Sequence, residues 1–182
     1  MNNSDKAETG VNLQILIHGE LVLRGLRADD AEALFPIFND EEVMQYWSSG
    51  PHQNIDETRD YVAENLSGSR WRTWVITMGD DIAIGWVVLV HDMPNVNSIG
   101  YILSRKYWGR GIVSRAVKMV IDHGFDKLNL RRIWADTDPD NAASNHLLSK
   151  LGFKKEGHLR AQWETHIGIR DSYIWGLIQE DR

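Results

Sequence analysis

The sequence predicts an α/β (α+β) fold, in which a mixed central sheet of about six or seven strands is flanked by helices. Two β-rich runs surround the turn sequence MGDD within 71–90, which is typical of a hairpin. A strand, a helix and a strand then follow across 96–138, which predicts a right-handed parallel crossover. No linker or repeat divides the 182 residues. We therefore predict a single domain over 13–182, preceded by a flexible tail over 1–12.

The first third of the domain is predicted to contain one strand and three helices. GELVLRGLRADD opens it with a strand, and RADDAEALFPIFND continues as a helix. Pro36 is expected to end or kink that helix, because proline lacks the amide hydrogen and crowds the preceding turn. DEEVMQYW (40–47) predicts a second short helix, and SSGPHQ (48–53) predicts a loop. The helix predicted over 54–66 has apolar residues at helical spacing and carboxylates in its first turn.

The remainder of the domain alternates strands and helices after the predicted hairpin. NVNSIGYILS (95–104) predicts a strand, and 111–125 has the clearest helical pattern, with one apolar and one charged face. A strand over 131–138, a helix over 141–153 and a final strand over 171–178 complete the prediction. The parallel crossover and the hairpin together make the predicted sheet mixed.

Composition excludes several classes of function. No apolar run reaches membrane-spanning length, and the N-terminus lacks the apolar core of a signal peptide. The net charge of −6 disfavours nucleic acid and favours cationic partners such as amines. The absence of cysteine excludes disulfides, thiolate metal sites and a cysteine nucleophile, and it fits a cytoplasmic location. The histidines have no HxH or HxxxH spacing, so we predict no metal site.

The sequence YWGRGIVSRA (107–116) places Gly109 and Gly111 just before the clearest predicted helix. A helix N-terminus exposes unpaired N–H groups and a partial positive charge, which suit a phosphate. Glycine lets the backbone approach closely, and Arg110 can add a charge-assisted contact. The same short string would be explained equally well without a phosphate, if one glycine formed a turn and the other allowed close packing. GxxxxGK(S/T) is absent and GxGxxG fails at Ser114, which argues against a nucleotide-binding domain.

Several strings, in family order, resemble the GNAT acyltransferase superfamily, and most of all its RimJ/RimL branch, whose founders acetylate the N-termini of ribosomal proteins. They are the stretch 99–113, DPDNAAS, KLGF, EGHLR and IRDSYIW, and the resemblance runs from about residue 19 to residue 179. It implies a GNAT-like fold in which two parallel strands, here 96–104 and 131–138, splay apart. It also implies acetyl-CoA as the cofactor, with coenzyme A as a product.

The same resemblance implies a set of cofactor-binding residues. Strand residues would pair with the pantetheine arm, where a backbone N–H can polarise the thioester carbonyl, and the glycine loop would hold the pyrophosphate. Asn141 matches the asparagine that contacts the pantetheine arm, although a helix N-cap is an equally sensible role. Trp108 and Val113 depart from the family loop pattern Gln/Arg-x-x-Gly-x-Gly/Ala. The full set is Ile102, Leu103, Ser104, Trp108, Gly109, Arg110, Gly111, Ile112, Val113, Ser114, Asn141 and Asn145.

The resemblance is less direct for the catalytic residues. Leu148 stands where many members have a tyrosine that acts as the general acid. Ser144 matches the serine that is given the acid role in the RimL branch, or it caps the helix start. Glu164 is predicted as the base because it lies one residue from the branch's glutamate position, which Trp163 occupies. The alternative bases by residue type are His166, His91 and Glu42.

The predicted function is acetyl-CoA-dependent transfer of an acetyl group to a primary amine, foremost the α-amine of a protein or peptide N-terminus. The sequence offers no obvious strong base, which favours an acceptor that is easy to deprotonate. Near neutral pH, deprotonating an α-amine of pKa ~8 costs under about 1 kcal/mol, whereas deprotonating a lysine of pKa ~10.4 costs roughly 4 kcal/mol. A small-molecule amine (polyamine, antibiotic or toxin) and an inactive coenzyme A-binding sensor are the alternatives. Tyr46 and Trp47 would line the substrate pocket or belong to the core. Monomer and homodimer both remain open.

Overall fold

One mixed sheet of eight strands, with helices against both faces, organises this computed structural model, which describes residues 13–182. The strands are β1 (Leu16–His18), β2 (Leu21–Gly25), β3 (Trp71–Met78), β4 (Gly85–Met93), β5 (Val96–Leu103), β6 (Arg132–Thr137), β7 (Lys154–Thr165) and β8 (Gly168–Ile178). The helices are α1 (Ala31–Phe38), α2 (Glu41–Met44), α3 (Ile55–Leu66), α4 (Ile112–Asp126) and α5 (Ala142–Lys150). The tail predicted over 1–12 lies outside the described residues.

The sheet order is β1-β2-β3-β4-β5-β6-β8-β7, and β5 with β6 forms its parallel pair. That pair holds only from Val96↔Arg132 to Ser98↔Trp134. Both strands continue beyond this point, β5 to Leu103 and β6 to Thr137, without further pairing to each other. The mixed sheet and its diverging parallel strands confirm the predicted fold class.

Two apolar cores lie on the two faces of the sheet. On one face, α4 and α5 pack against the side chains of Ile99 and Leu103, and on the other, α1 and α3 pack against Trp86 and Ile102. Alternating β5 residues therefore belong to different cores, because successive side chains of a strand point to opposite faces. Each fully buried Val, Ile or Phe side chain contributes roughly 1.5–3 kcal/mol relative to exposure. The two cores hold β5 rigidly while one of its edges is left open.

The predicted helices match the structure with three adjustments. α2, predicted over 40–47, ends at Met44, so Tyr46 and Trp47 follow the helix. α1 continues through Pro36 and ends two residues later. α5 ends at Lys150 rather than at 153, because Gly152 has a left-handed φ of +90°. Among residues 13–182, no helix combines the length and the apolarity that crossing a bilayer would need.

Two edge strands were not predicted from the sequence. β1 has only three residues, and β7 is exposed along nearly its whole length. An edge strand that faces solvent on both sides has no apolar alternation for a pattern to detect. β7 exists because it pairs with β8, with register shifts at Lys155/Gly157 and Leu159/Trp163. The sheet therefore has eight strands rather than six or seven.

Candidate functional site

A cleft of about 670 Å³ opens beside the unpaired end of β5. Four segments line it: α2 with the residues after it, the end of β5, the glycine loop with the start of α4, and the first turns of α5. Most of the residues predicted from the sequence lie on its wall, namely Tyr46, Trp47, Ile102, Leu103, Trp108, Gly109, Gly111, Ile112, Val113, Ser114, Asn141 and Ser144. Outside that wall lie Ser104, Arg110, Asn145 and Glu164. The structure thus brings distant parts of the chain to one cavity.

The glycine loop has the backbone conformation that only glycine adopts without strain. Gly109 and Gly111 have φ of +73° and +67°, in the left-handed region. A Cβ at Gly109 would have no atom within 4 Å, so the loop surface is open there. Gly111 is the N-cap of α4 and no side chain caps that helix, so the first-turn N–H groups lack a capping partner among the described residues. Open amides at the start of a fifteen-residue helix suit the diphosphate of coenzyme A.

Trp108 fastens this loop to the end of β5. Its indole Nε1 donates to the Leu103 carbonyl oxygen at 2.8 Å, while 44% of the residue stays exposed. Trp108, which replaces the Gln or Arg of the family pattern, therefore lines the cleft and also holds the loop through a hydrogen bond to the backbone. Arg110, beside it, is exposed and lies over the Tyr107 ring at 5.5 Å.

The direction of the β5 amides identifies which ones face the gap. The Ser104 N–H donates to Ile84 O of the neighbouring chain segment at 2.8 Å, so it is not free for a ligand. Successive N–H groups of a strand point to opposite edges. The N–H groups of Leu103 and Tyr101 therefore point to the edge that β6 has left. These two amides, rather than that of Ser104, are available to a bound molecule.

The start of α5 is fixed by asparagine side chains. Asn141 Oδ1 accepts from the Ser144 N–H at 3.1 Å, so Asn141 is a helix N-cap. Asn145 Oδ1 accepts from Thr137 Oγ1 and, at 3.2 Å, from Trp175 Nε1, while its Nδ2 donates to two carbonyl oxygens of the preceding turn. Since the Asn145 amide is fully used inside the protein, it has no polar atom left for the predicted cofactor contact.

An ion pair holds the turn between β6 and α5. Arg170 Nε lies 2.6 Å from Asp138 Oδ2, and the same guanidinium also pairs with Asp140. The Arg170 hydrogen bonds lower the pKa of Asp138 below its ordinary value. Asp138 therefore stays ionised near neutral pH and keeps the turn in place.

Ser144 and Tyr101 meet inside the cleft. Ser144 is half-buried in the first turn of α5, and Tyr101 reaches the same place from β5. Burial raises the pKa of Tyr101 to about 12, and the adjacent Ser144 side chain opposes part of that rise. The Tyr101 hydroxyl is buried, and it has no partner at full hydrogen-bond geometry among the described residues.

Tyr46 and Trp47 form the opposite wall, directly after α2. The Trp47 indole Nε1 donates to the Tyr61 hydroxyl at 3.2 Å, and its ring centroid lies 6.4 Å from that of Phe38. Trp47 also reaches to 3.9 Å from the Cβ position at Gly100 of β5. Trp47 therefore packs in the aromatic core and also lines the cleft, and its contact with substrate stays a prediction.

The predicted bases lie at different places. Glu164 is exposed on β7, where it pairs with Ile169, and it does not line the cleft. Glu42 lines the cleft but pairs with Arg105 at 2.6 Å. His166 lies against Gly50 in the loop after α2, since a Cβ there would be 3.3 Å from His166 Cβ. His91 lies on β4 outside the cleft wall.

Sequence reasoning missed Tyr101, which lines the cleft, and Asp136, which lies outside the cleft wall near the gap between β5 and β6. Trp163, at the position where the resembling branch has a glutamate, donates its indole N–H to Asp136 Oδ2 at 2.8 Å. The β5–β6 register Ser98↔Trp134, continued two residues, places Asp136 across the gap from Gly100. The period-two alternation of both strands was the available signal. It could not be used until the register was known.

Comparisons with known proteins agree with this geometry. A family model described as an acetyltransferase (GNAT) domain matches residues 20–154. An uncharacterized N-acetyltransferase p20 from Bacillus licheniformis is 34% identical over 175 residues, 93% of this chain and 98% of that protein. The spermidine N(1)-acetyltransferase of Escherichia coli K12 is 29% identical over 138 residues, 75% of this chain and 74% of that protein.

Solved structures give the same fold. A GNAT-family acetyltransferase from Bacillus anthracis has a TM-score of 0.83 and 24% identity, covering 92% of this chain and 99% of that one. The spermidine N-acetyltransferase from Vibrio cholerae, solved with CoA and spermine, has a TM-score of 0.80 and 23% identity, covering 90% and 98%. The family match, the full-length relative and the open glycine loop lead to one conclusion: this chain belongs to the GNAT family of N-acetyltransferases, which use acetyl-CoA.

Proposed function

We propose that this enzyme acetylates a primary amine, foremost the α-amine of a protein or peptide N-terminus, as the RimJ/RimL branch does. One observation carries the proposal: a single cleft joins the open helix start at Gly111 to the aromatic wall at Trp47, with Ser144 on the same cavity wall. A cofactor end and an acceptor end that share one cavity are what transfer between two bound molecules needs.

The residues of the cofactor end fit acetyl-CoA. The first-turn amides of α4 would hold the diphosphate, and the N–H groups of Tyr101 and Leu103 would face the pantetheine arm and the thioester carbonyl. Acetyl-CoA supplies the acetyl thioester, whose C–S bond breaks with the electron pair going to sulfur as the C–N bond forms. Nitrogen loses one proton and sulfur gains one, so the products are an amide and a free thiol.

Ser144 would serve as the proton donor. Its backbone N–H is used by the Asn141 cap, its hydroxyl has no hydrogen bond among the described residues, and the residue lines the cleft. Ser144 Oγ would give its proton to the sulfur and regain one from water that has taken up the proton of the amine. Tyr46 and Trp47 would exclude other water from this step.

Asp136 is the carboxylate that we assign to the amine. Like Glu164 it lies outside the described cleft wall, but the strand register places it across the gap from Gly100, whose Cβ position Trp47 approaches. The Trp163 indole holds one carboxylate oxygen, which leaves the other free to accept from an ammonium group. Asp136 would orient the ammonium group and take the proton whose loss leaves a neutral amine, a role for which Glu164 was the candidate from the sequence alone. The second proton, which nitrogen loses as the C–N bond forms, is the one that passes through water to Ser144.

The supply of carboxylates favours a single amine. Glu42, the carboxylate on the described cleft wall, is neutralised by Arg105. One free carboxylate suits one ammonium group, and an α-amine needs under about 1 kcal/mol for neutralisation near pH 7.4, against roughly 4 kcal/mol for a lysine. The first consideration supports an acceptor with one ammonium group over a polycation, and the second supports an α-amine over a lysine side chain.

A polyamine is the second candidate acceptor. Relatives of this chain are named spermidine N(1)-acetyltransferase, and the net charge of −6 attracts a polycation at long range. A polyamine and a peptide N-terminus both present a primary amine to the same cavity, so a direct competition between the two distinguishes them.

The test is turnover by the purified enzyme with acetyl-CoA and three acceptor sets: peptides with free N-termini, the same peptides N-terminally blocked but containing lysine, and spermidine with spermine. Thiol release and a mass gain of one acetyl group are measured together. We expect kcat/KM for free N-termini to exceed that for blocked peptides by about tenfold or more. Spermidine as the preferred acceptor would establish the second candidate. Cofactor binding without turnover of any amine would contradict both and indicate a coenzyme A sensor.

A further inference from the structure

Tyr101 has a buried hydroxyl that the fold itself does not explain. It lies on β5 at the point where β6 has diverged, and its ring is part of the cleft wall. Buried tyrosine hydroxyls usually find a hydrogen-bond partner, and leaving one unmade is unfavourable. Among the described residues this hydroxyl has none. A buried polar group that is retained without a partner suggests that a partner is completed during function.

The nearest candidate partner is the hydroxyl of Ser144. Ser144 enters the same cavity from the first turn of α5, on the face of the sheet against which Tyr101 also packs. The Ser144 backbone is fixed by the Asn141 cap, and its own hydroxyl has no hydrogen bond among the described residues. Two residues whose hydroxyls have no partner at full geometry therefore line one cavity.

We propose that Tyr101 is a positioning residue for Ser144, whose hydroxyl it orients toward the sulfur of the bound cofactor by donating a hydrogen bond to Ser144 Oγ. This inference rests on the proposed role of Ser144 as proton donor. No proton leaves Tyr101 in the step, because the phenol acts only as a hydrogen-bond donor.

The chemistry of the serine hydroxyl explains why a donor is needed. A hydroxyl rotates freely and can direct its hydrogen to any acceptor in reach. When the Tyr101 O–H occupies one lone pair of Ser144 Oγ, the serine hydrogen must point elsewhere, and the cleft offers the sulfur. Burial raises the pKa of Tyr101 to about 12, so the phenol keeps its hydrogen at neutral pH and can donate it to Ser144 Oγ.

Helix α5 has no tyrosine that could take this place. Its Leu148 is fully buried in the core between α5 and the sheet. The helix therefore supplies no phenol. Tyr101 brings one into the same cavity from the strand on the other side of Ser144.

The first experiment is Tyr101→Phe, measured at saturating acceptor. We expect kcat to fall about tenfold, the effect of one hydrogen bond, while the Kd for coenzyme A stays within about twofold. The melting temperature should be unchanged or higher, because the variant removes a buried group without a partner. Tyr173→Phe makes the same chemical change on β8, away from the cleft wall, and should leave kcat unchanged. An unchanged kcat in Tyr101→Phe, or a weaker Kd at constant kcat, would overturn the proposal.

The second experiment tests whether Tyr101 acts through Ser144. In a Ser144→Thr background, which keeps the hydroxyl, Tyr101→Phe should lower kcat about tenfold. In a Ser144→Ala background the same substitution should lower kcat by less than about twofold. Equal losses in both backgrounds would show that Tyr101 acts independently, and would overturn the proposal while leaving the acetyltransferase function intact.

Failure of the proposed function has a different signature. If Ser144→Ala retains the kcat of the wild type, Ser144 is not the proton donor and this inference falls with that role, although acetyl transfer stands. If the wild type turns over no amine, the proposed acetyltransferase function is refuted. The proposed role of Tyr101 is then refuted with it, even if Tyr101→Phe binds coenzyme A as tightly as the wild type.

Discussion

The two ends of the cleft are built from different parts of the polypeptide. The cofactor end presents backbone, with Gly109 and Gly111 in left-handed conformations and an uncapped helix start. The acceptor end presents side chains, with Tyr46 and Trp47 on the wall and an aromatic cluster of Phe38, His52, Tyr61 and Trp86 behind them.

This difference has a physical consequence for recognition. Backbone amides bind a diphosphate whatever the neighbouring side chains are, so one loop serves a whole family with a common cofactor. Side chains recognise the shape and charge of a particular acceptor, so the acceptor end differs between enzymes of one fold. Substitutions at the two ends should therefore change different constants, and the following predictions test that division.

The largest effect is expected for Gly111→Glu. A side chain at φ +67° is strained, and its carboxylate would enter the space of the diphosphate and repel it. We expect the Kd for coenzyme A to rise at least about 100-fold, by calorimetry. Gly68→Glu is the matched control, because Gly68 also has a left-handed φ, +86°, in open space away from the cleft. A folded Gly111→Glu protein with wild-type affinity would contradict the placement of the cofactor.

The next largest effect is expected for Asp136→Asn. The amide keeps the size of the side chain but loses the charge that would hold an ammonium group and take its proton. We expect kcat/KM for the acceptor to fall about 100-fold, with little change in the Kd for coenzyme A.

Two matched variants sharpen this result. Asp92→Asn changes a carboxylate that also accepts from an indole, that of Trp134 at 2.8 Å, and it should have no effect on acceptor kinetics. Glu164→Gln tests the base predicted from the sequence. A larger loss for Glu164→Gln than for Asp136→Asn would reverse our assignment of the base.

A smaller effect separates the two roles of Asn141. Asn141→Ala removes the oxygen that caps α5 and should lower the free energy of unfolding by about 1 kcal/mol as well as weaken coenzyme A binding. Asn141→Asp keeps the capping oxygen and loses only the amide donor, so stability should be preserved while coenzyme A binding weakens. Equal coenzyme A affinity in Asn141→Asp and the wild type would leave Asn141 with the capping role alone. Denaturant unfolding and calorimetry measure the two quantities separately.

The smallest effect concerns pH. Burial lowers the pKa of His52, in the aromatic cluster, and of His123, on α4, below the ordinary value of ~6.5. The unfolded chain then binds protons that the folded state does not, so stability is complete above pH ~6.5 and falls as the pH drops below it. The melting temperature should decrease over that range. His52→Gln should flatten the decrease in part.

Much of the fold was predictable because its helices and central strands have strong periodic patterns. The pattern over 111–125 predicted α4 to within one residue, since one side of that helix is buried and the other is charged. β7 was missed because it is exposed along its length, and its pairing with β8 decides its conformation. Local sequence carries no record of such a pairing.

The sequence by itself determined the cofactor end of this enzyme. A helix start preceded by two glycines is a local arrangement, and neighbouring residues suffice to specify it. The tertiary structure alone decided the acceptor end. Asp136 and Trp163, which we propose for this end, lie far apart in the chain, and the sheet register together with the β7–β8 pairing brings them into contact. Contacts between distant residues depend on how strands pair, and a linear pattern does not contain that information.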